Sequence, residues 1–204
     1  RLAPHSPGLI LVERRGRHGT ETSSRNSQVI HSGLYYEPGS LKARLCREGN
    51  RRLYAFCEQH RVPYRRSAKL VVAVTPAEEP TLTDLLVNGR ANDVELRLLT
   101  GAEARALEPE VPALAALLSP STGILDVDAL MDVLLNAALA AGITYSPATE
   151  VVGLGRRTSD WEVTVRTSSG IESFTSARVV NAAGLGADTL AELAGIAVDA
   201  AGYR

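Results

Sequence analysis

Disulfide chemistry is the first thing this sequence does without. Its 204 residues hold two cysteines, Cys46 and Cys57. Both fall on one stretch with helical spacing, about 16 Å apart along the axis, beyond the reach of a disulfide. That excludes a cystine-stapled secreted scaffold and fits buried, reduced thiols in a cytoplasmic protein. Long apolar runs are missing too. None reaches the roughly 18 residues of a bilayer-spanning helix, and no secretory signal is visible. Neither sign of charge is in excess: the formal net charge is −1, so nothing points to nucleic acid or to an anionic membrane surface. Lysine is scarce, with Lys42 and Lys69 alone against twenty arginines. That is the pattern left by a GC-rich genome, and against it the two lysines stand out.

What is present is ordinary in amount. A hydrophobic share of 45% over this length is enough for one or two domains with a sizeable core. The patterning predicts a strand at 9–13 and a helix from Gly39 to His60 with Ser40 as its N-cap. A strand at 69–74 shows little alternation, as expected when both faces are covered. Helices are expected from Pro80 to about Asn88, after a capping box at Thr100 and Glu103, and from Asp126 to Ala141. A short strand precedes the capping box at 95–99. Strands follow at 144–146 and 150–154, then a hairpin of 161–166 and 171–175 around Ser168-Ser169-Gly170. The apolar run 178–181 reads as a last, buried strand, turned by Ala182-Ala183-Gly184 into a helix at 185–194.

Chemistry concentrates near the start. The run Leu9-Ile10-Leu11-Val12 ends in Glu13. An apolar strand closed by an acid is how the second strand of a dinucleotide-binding fold finishes, because the carboxylate accepts hydrogen bonds from the adenosine ribose. Taken alone it is equally the end of a surface strand. A polar loop follows, Ser23-Ser24-Arg25-Asn26-Ser27-Gln28, and then Val29-Ile30-His31-Ser32-Gly33-Leu34-Tyr35-Tyr36.

In order along the chain, that segment is followed by Pro38-Gly39-Ser40-Leu41-Lys42-Ala43-Arg44-Leu45-Cys46 and by Pro63-Tyr64-Arg65-Arg66-Ser67-Ala68-Lys69 with its apolar continuation. Ser119-Pro120-Ser121-Thr122-Gly123-Ile124-Leu125-Asp126 and Val179-Val180-Asn181-Ala182-Ala183-Gly184-Leu185 complete the set. Together they resemble the L-2-hydroxyglutarate oxidases and dehydrogenases, members of the D-amino-acid-oxidase-like flavoproteins. The resemblance implies a mixed α/β fold. An FAD-binding, Rossmann-like domain would be built from residues 1–62 and 118–204, with residues 63–117 as an inserted part of a substrate-binding domain. The family opens with a strand and a Gly-x-Gly-x-x-Gly turn that holds the pyrophosphate. No such turn precedes Glu13, so the chain is expected to be an internal piece of a longer enzyme, truncated at both ends and by itself unable to hold FAD.

The resemblance also implies roles. Glu13 would bind the FAD ribose, and Ser24, Arg25, Asn26 and Ser27 would run past its phosphates and ring. The backbone at Val151 would lie beside adenine, and the Ala183-Gly184 turn would let the backbone approach the cofactor. The family pattern has glycine where this chain has Ser24 and Gln28. His31 is expected to take the substrate hydroxyl proton, or else to pack against the flavin or bond to it covalently. Tyr35, Tyr36, Arg65, Arg66 and Lys69 are the candidates for holding substrate carboxylates. No metal site is expected.

The implied reaction is oxidation of a small-molecule 2-hydroxy acid, L-2-hydroxyglutarate to 2-oxoglutarate, by hydride transfer to the flavin. Oxygen or a quinone would take the electrons. The enzyme would be cytoplasmic, or peripheral to the inner membrane, with no nucleic-acid partner. A same-fold enzyme acting on an amine, an amino acid or glycerol 3-phosphate is the alternative, since fold does not fix substrate. An NAD-binding domain fits less well, because such domains place helical crossovers where this chain has a hairpin.

Overall fold

The computed structural model describes residues 2–200 and 202. In chain order its strands and α-helices begin with β1 (Ile10–Val12), β2 (Val29–Ile30), α1 (Leu41–His60), β3 (Tyr64–Arg65) and β4 (Leu70–Ala73). Next come α2 (Glu79–Ala91), β5 (Arg97–Thr100), α3 (Gly101–Leu107), β6 (Ala115–Leu118), β7 (Gly123–Leu125) and α4 (Val127–Ala140). The last are β8 (Thr144–Ser146), β9 (Glu150–Arg156), β10 (Trp161–Thr167), β11 (Gly170–Ser176) and α5 (Ala187–Leu193). Parallel and antiparallel pairings both occur, as the mixed α/β expectation requires.

Contacts gather the chain into two compact units, one of residues 27–130 and one of residues 1–26 with 131–204. These borders differ from the expected cofactor and substrate division at 62 and 118. The reason lies in α1. Its Asn50 and Tyr54 side chains both donate to the Ser121 carbonyl, at 2.9 and 3.2 Å. The Asp126 N–H bonds the Pro63 carbonyl at 2.8 Å. Helix α1 and residues 118–130 are therefore packed into the same unit as 63–117.

In the 27–130 unit, β6 runs between β4 and β5, antiparallel to both. Val71, Ala73, Ala115 and Leu117 pack with Leu34, Leu82, Val94 and Leu96. Leu70, Val72, Ala116 and Leu118 pack instead with Leu99, Ala104, Ala113 and Val111. The sheet is thus covered on both faces, which is why β4 shows no alternation. The central strand β6 has no strand-like composition: Ala113-Leu-Ala-Ala-Leu-Leu is made of helix formers. Pairing on both sides and complete burial of Ala116 and Leu117 decide its conformation.

A second three-stranded sheet has β7 between β2 and β3. Helix α1 is capped as expected, the Ser40 hydroxyl accepting from the Ala43 N–H at 3.2 Å. Its buried residues Ala43, Asn50, Tyr54 and Cys57 form one stripe. Cys57 is fully buried, while Cys46 is only half-buried. Gly123 is required by close approach: a Cβ there would run into the Tyr54 hydroxyl and the Arg65 carbonyl oxygen.

In the other unit, β1 pairs in parallel with β8. Strands β9, β10 and β11 form an antiparallel meander whose first strand carries α5. The hairpin turns where the sequence places it. One expectation fails. Residues 178–181 form no strand and are exposed, Val180 by 66%. An apolar run becomes a buried strand only through ladder partners on its edges, and among the described residues nothing pairs with it. Helix ends shift by at most three residues from the predicted positions, the largest at the end of α2, which runs on to Ala91, as fraying ends do. Among the described residues, no helix is long and apolar enough to cross a membrane.

Replacing Gly123 by alanine is expected to destabilise the protein by about 1–3 kcal/mol through overpacking. A urea unfolding midpoint equal to that of the parent would mean that Tyr54 and Arg65 move aside freely.

Candidate functional site

Two clusters collect the residues singled out by the sequence, one in each compact unit. The first surrounds the end of β1. The Glu13 N–H bonds the Ser146 carbonyl at 3.0 Å, which prolongs the parallel ladder. The Glu13 carbonyl accepts from the Thr149 N–H at 2.9 Å, two residues before Val151 on β9. The half-buried Glu13 side chain turns back, and its Oε1 accepts from the Arg15 N–H at 2.7 Å. A carboxylate offers about four lone-pair sites, so this contact leaves capacity for ribose hydroxyls.

The loop that follows is held by its own ion pairs. Glu21 accepts from Arg14 and Arg15, both at 2.6 Å. Hydrogen bonds from Arg14 and then Arg15 hold its carboxyl down at about 2. The Ser24 hydroxyl donates to the Glu21 carbonyl at 3.2 Å. Asn26 donates to the carbonyls of Thr22 and Ser23 at 3.0 and 2.7 Å. Arg25 and Ser27 are exposed, Ser27 belonging to the other unit. Gln28 adopts φ +57°, the left-handed region where glycine is at ease.

The turn after residue 181 lies against this loop. Asn181 braces it, accepting from the Ala183 N–H at 3.3 Å and donating to the Ala187 carbonyl at 2.7 Å. Gly184, at φ +56°, has the Thr22 hydroxyl 3.8 Å from where a Cβ would stand. Gly184 thus lies against the loop that carries Ser24, Arg25 and Asn26, while Glu13 is tied through Thr149 to the start of β9, where Val151 lies. A strand-end acceptor beside a turn of small residues with approachable backbone is a donor and acceptor set that fits a dinucleotide.

The second cluster is a shallow recess in the 27–130 unit. It is open to solvent and is lined by residues 31–36 with Lys69 and Thr122. His31 and Tyr35 are exposed at its surface, whereas Ser32 and Leu34 are buried. Lys69 is placed by backbone: its N–H and carbonyl pair with those of Ser119 at 3.1 and 2.9 Å. Its ammonium stands 4.6 Å above the Tyr35 ring. The fully buried Ser119 hydroxyl donates to Ser32 Oγ at 3.0 Å and lies 3.1 Å from Thr122 Oγ1. Arg66 is not in the recess: its guanidinium stacks 3.7 Å above the Tyr54 ring. Arg65 belongs to β3 and pairs with Ile124.

Three residues overlooked in the sequence hold the 31–36 segment. Asn50 donates to the carbonyls of His31 and Ser121 at 3.0 and 2.9 Å. Asn88 donates to those of Leu34 and Tyr36 at 2.6 and 2.9 Å. Asn92 donates to those of Gly33 and Tyr36 at 3.3 and 2.7 Å. Each carboxamide uses its NH2 group twice. The sequence signal was there. Asparagine is a poor helix former, yet Asn50 sits mid-helix in α1, and Asn88 and Asn92 are four apart along α2 and its C-cap, on one face.

The sequence matches the family described as FAD dependent oxidoreductase (DAO) over residues 2–202. It is 43% identical over 124 residues to the mitochondrial L-2-hydroxyglutarate dehydrogenase of Arabidopsis thaliana, covering 60% of this chain and 26% of that protein. With the L-2-hydroxyglutarate dehydrogenase of Salmonella houtenae it shares 34% over 188 residues, 92% of this chain and 44% of the other. The chain therefore spans less than half the length of these relatives. Among solved structures it is similar to the FAD-bound L-α-glycerophosphate oxidase of Mycoplasma pneumoniae. The TM-score is 0.84 at 27% identity, over 91% of this chain and 50% of that one.

Replacing Asn92 by alanine leaves the Gly33 and Tyr36 carbonyls short of a donor, and the expected loss is about 1–3 kcal/mol. Urea unfolding measures it. A change under about 0.5 kcal/mol would mean that water or Asn88 takes over both carbonyls.

Proposed function

We infer, because this chain belongs to the FAD-dependent oxidoreductases, that it forms part of an enzyme that oxidises a 2-hydroxy acid, L-2-hydroxyglutarate, to the 2-oxo acid. One observation carries the choice of substrate. The relative named for that substrate matches at 34% identity over 92% of the chain, against 27% for the glycerophosphate oxidase. Oxygen or a quinone serves as electron acceptor. The enzyme works in the cytoplasm, peripheral to the membrane where a quinone is used.

In this reading the β1 cluster holds the dinucleotide. The Glu13 carboxylate accepts from the ribose hydroxyls, and the Ser24 hydroxyl and Arg25 serve the phosphates. Asn26 keeps the loop in shape, the backbone at Val151 lies beside adenine, and Ala183 and Gly184 let the backbone come close. When bound, the flavin supplies a hydride acceptor.

The recess holds the substrate. Lys69 engages the carboxylate next to the reacting carbon, and the Tyr35 and Tyr36 rings bound the space around it. Arg66 joins only by leaving the Tyr54 ring. His31 takes the hydroxyl proton onto a ring nitrogen as the C–H electrons depart, a task for which an imidazole is suited near neutral pH. Its carbonyl is held by Asn50, so the residue is presented from a fixed backbone.

Two measurements on the full-length protein test this reading. Glu13→Ala is expected to weaken FAD binding by about 1–3 kcal/mol in a flavin titration, and unchanged affinity removes Glu13 from the ribose site. His31→Gln is expected to slow anaerobic flavin reduction by L-2-hydroxyglutarate by roughly 10²–10⁴-fold, with little change in substrate affinity. A fall below about tenfold with FAD fully bound makes His31 a packing residue instead.

A further inference from the structure

We propose that Lys42 is the second cation of a two-point carboxylate clamp, taking the distal carboxylate of a dicarboxylic substrate whose other end is held by Lys69. The inference rests on the hydroxy acid reading of the recess.

The two lysines of this arginine-rich chain end up on neighbouring tyrosines. Lys69 Nζ lies 4.6 Å from the centroid of Tyr35, and Lys42 Nζ lies 4.6 Å from that of Tyr36. Both rings line the recess that His31 opens onto. Lys69 also lines it, whereas Lys42 lies outside the lining, over the ring of Tyr36. That order assigns Lys69 to the carboxylate beside the reacting carbon and Lys42 to the far one.

Among the described residues neither ammonium has a carboxylate partner. Among the described residues at least eight arginines form ion pairs, while Lys42 and Lys69 form none. A ring face holds an ammonium in place without cancelling its charge, so the charge stays available to an anion. The helix does not account for Lys42 either. It is the second residue of α1, where the macrodipole disfavours a cation, and the first turn of α1 contains no acid to offset it. The platform beneath it is fixed, because Asn88 and Asn92 both donate to the Tyr36 carbonyl. The backbone that carries the two tyrosines and His31 is thus held by side-chain amides and not by the flexible lysine stems.

The test uses the full-length flavoprotein and two substrates of equal carbon count, L-2-hydroxyglutarate and L-2-hydroxypentanoate, the second lacking the distal carboxylate. Lys42→Met is expected to raise KM for the dicarboxylate about tenfold or more, the order for losing a charge-assisted contact. The kcat should hold and KM for the monocarboxylate should not move, which is the mark of lost uniform binding. Lys42→Arg should recover part of the loss, since it keeps the charge. Equal effects on both substrates, or no effect on either, would overturn the clamp. If the parent protein leaves L-2-hydroxyglutarate unoxidised, the hydroxy acid reading falls by itself. The clamp is then judged by glutarate titration of the flavin absorbance: weaker binding in Lys42→Met sustains it, and equal binding in both proteins rejects it.

Discussion

The segment from His31 to Tyr36 depends on side-chain amides for its hydrogen bonds. Past β2 the chain leaves the sheet while Leu34 enters the core, so its carbonyls are drawn inward with no ladder to receive them. A buried carbonyl without a donor is costly. The NH2 group of asparagine has the two donors needed to satisfy a pair of carbonyls at once, and three such groups do so here. Glutamine or serine would offer a longer reach or fewer donors. Everything displayed on the surface of the segment, including the His31 imidazole and the two tyrosine rings, inherits its position from these bonds.

The same segment is tied from a second direction by hydroxyls. Ser119 joins Ser32 to Thr122, and its backbone pairs with Lys69. One buried residue thereby couples the start of β4 to the floor of the recess. The sheet of β4, β6 and β5 is closed on both faces by apolar packing, which makes it a firm base for that coupling. The β1 cluster is built differently. Its loop is shaped by exposed ion pairs to Glu21, which are weak and salt-sensitive, together with turns closed by the loop's own side chains. Rigidity in the recess and adaptability in the loop follow from buried neutral bonds in one place and solvated charges in the other.

Much of this was legible in the sequence, for local reasons. Ser40, Thr100 and Asp126 cap helices through their own side chains, and the hairpin follows from alternation and Gly170. Glu13 could be read because a strand-end acid is a local pattern. Where partners remote in sequence decide, the reading failed. β6 is a strand because it is paired on both sides, against the preference of its alanines and leucines. Residues 178–181 have the composition of a buried strand but, among the described residues, no strand to pair with. Asn50, Asn88 and Asn92 reach carbonyls of residues 31–36 that lie 19 to 59 residues away, so their place on helices marks them as unusual without naming those partners. Arg66 lies over the Tyr54 ring and outside the lining of the recess.

The asparagine cradle also sets how the protein ages. Asn88 is followed by Gly89, the pairing in which an asparagine side chain is most open to attack by the next backbone nitrogen. That attack needs a backbone shape which a helix forbids, so α2 shields its own amide as long as it stays wound. Opening of the helix would expose it: the attack would expel ammonia and close a succinimide ring, whose hydrolysis leaves aspartate or isoaspartate. Two donors would become a carboxylate pressed against the Leu34 and Tyr36 carbonyls, turning attraction into repulsion. The working lifetime of the recess is therefore tied to the local opening rate of one helix that never touches the chemistry.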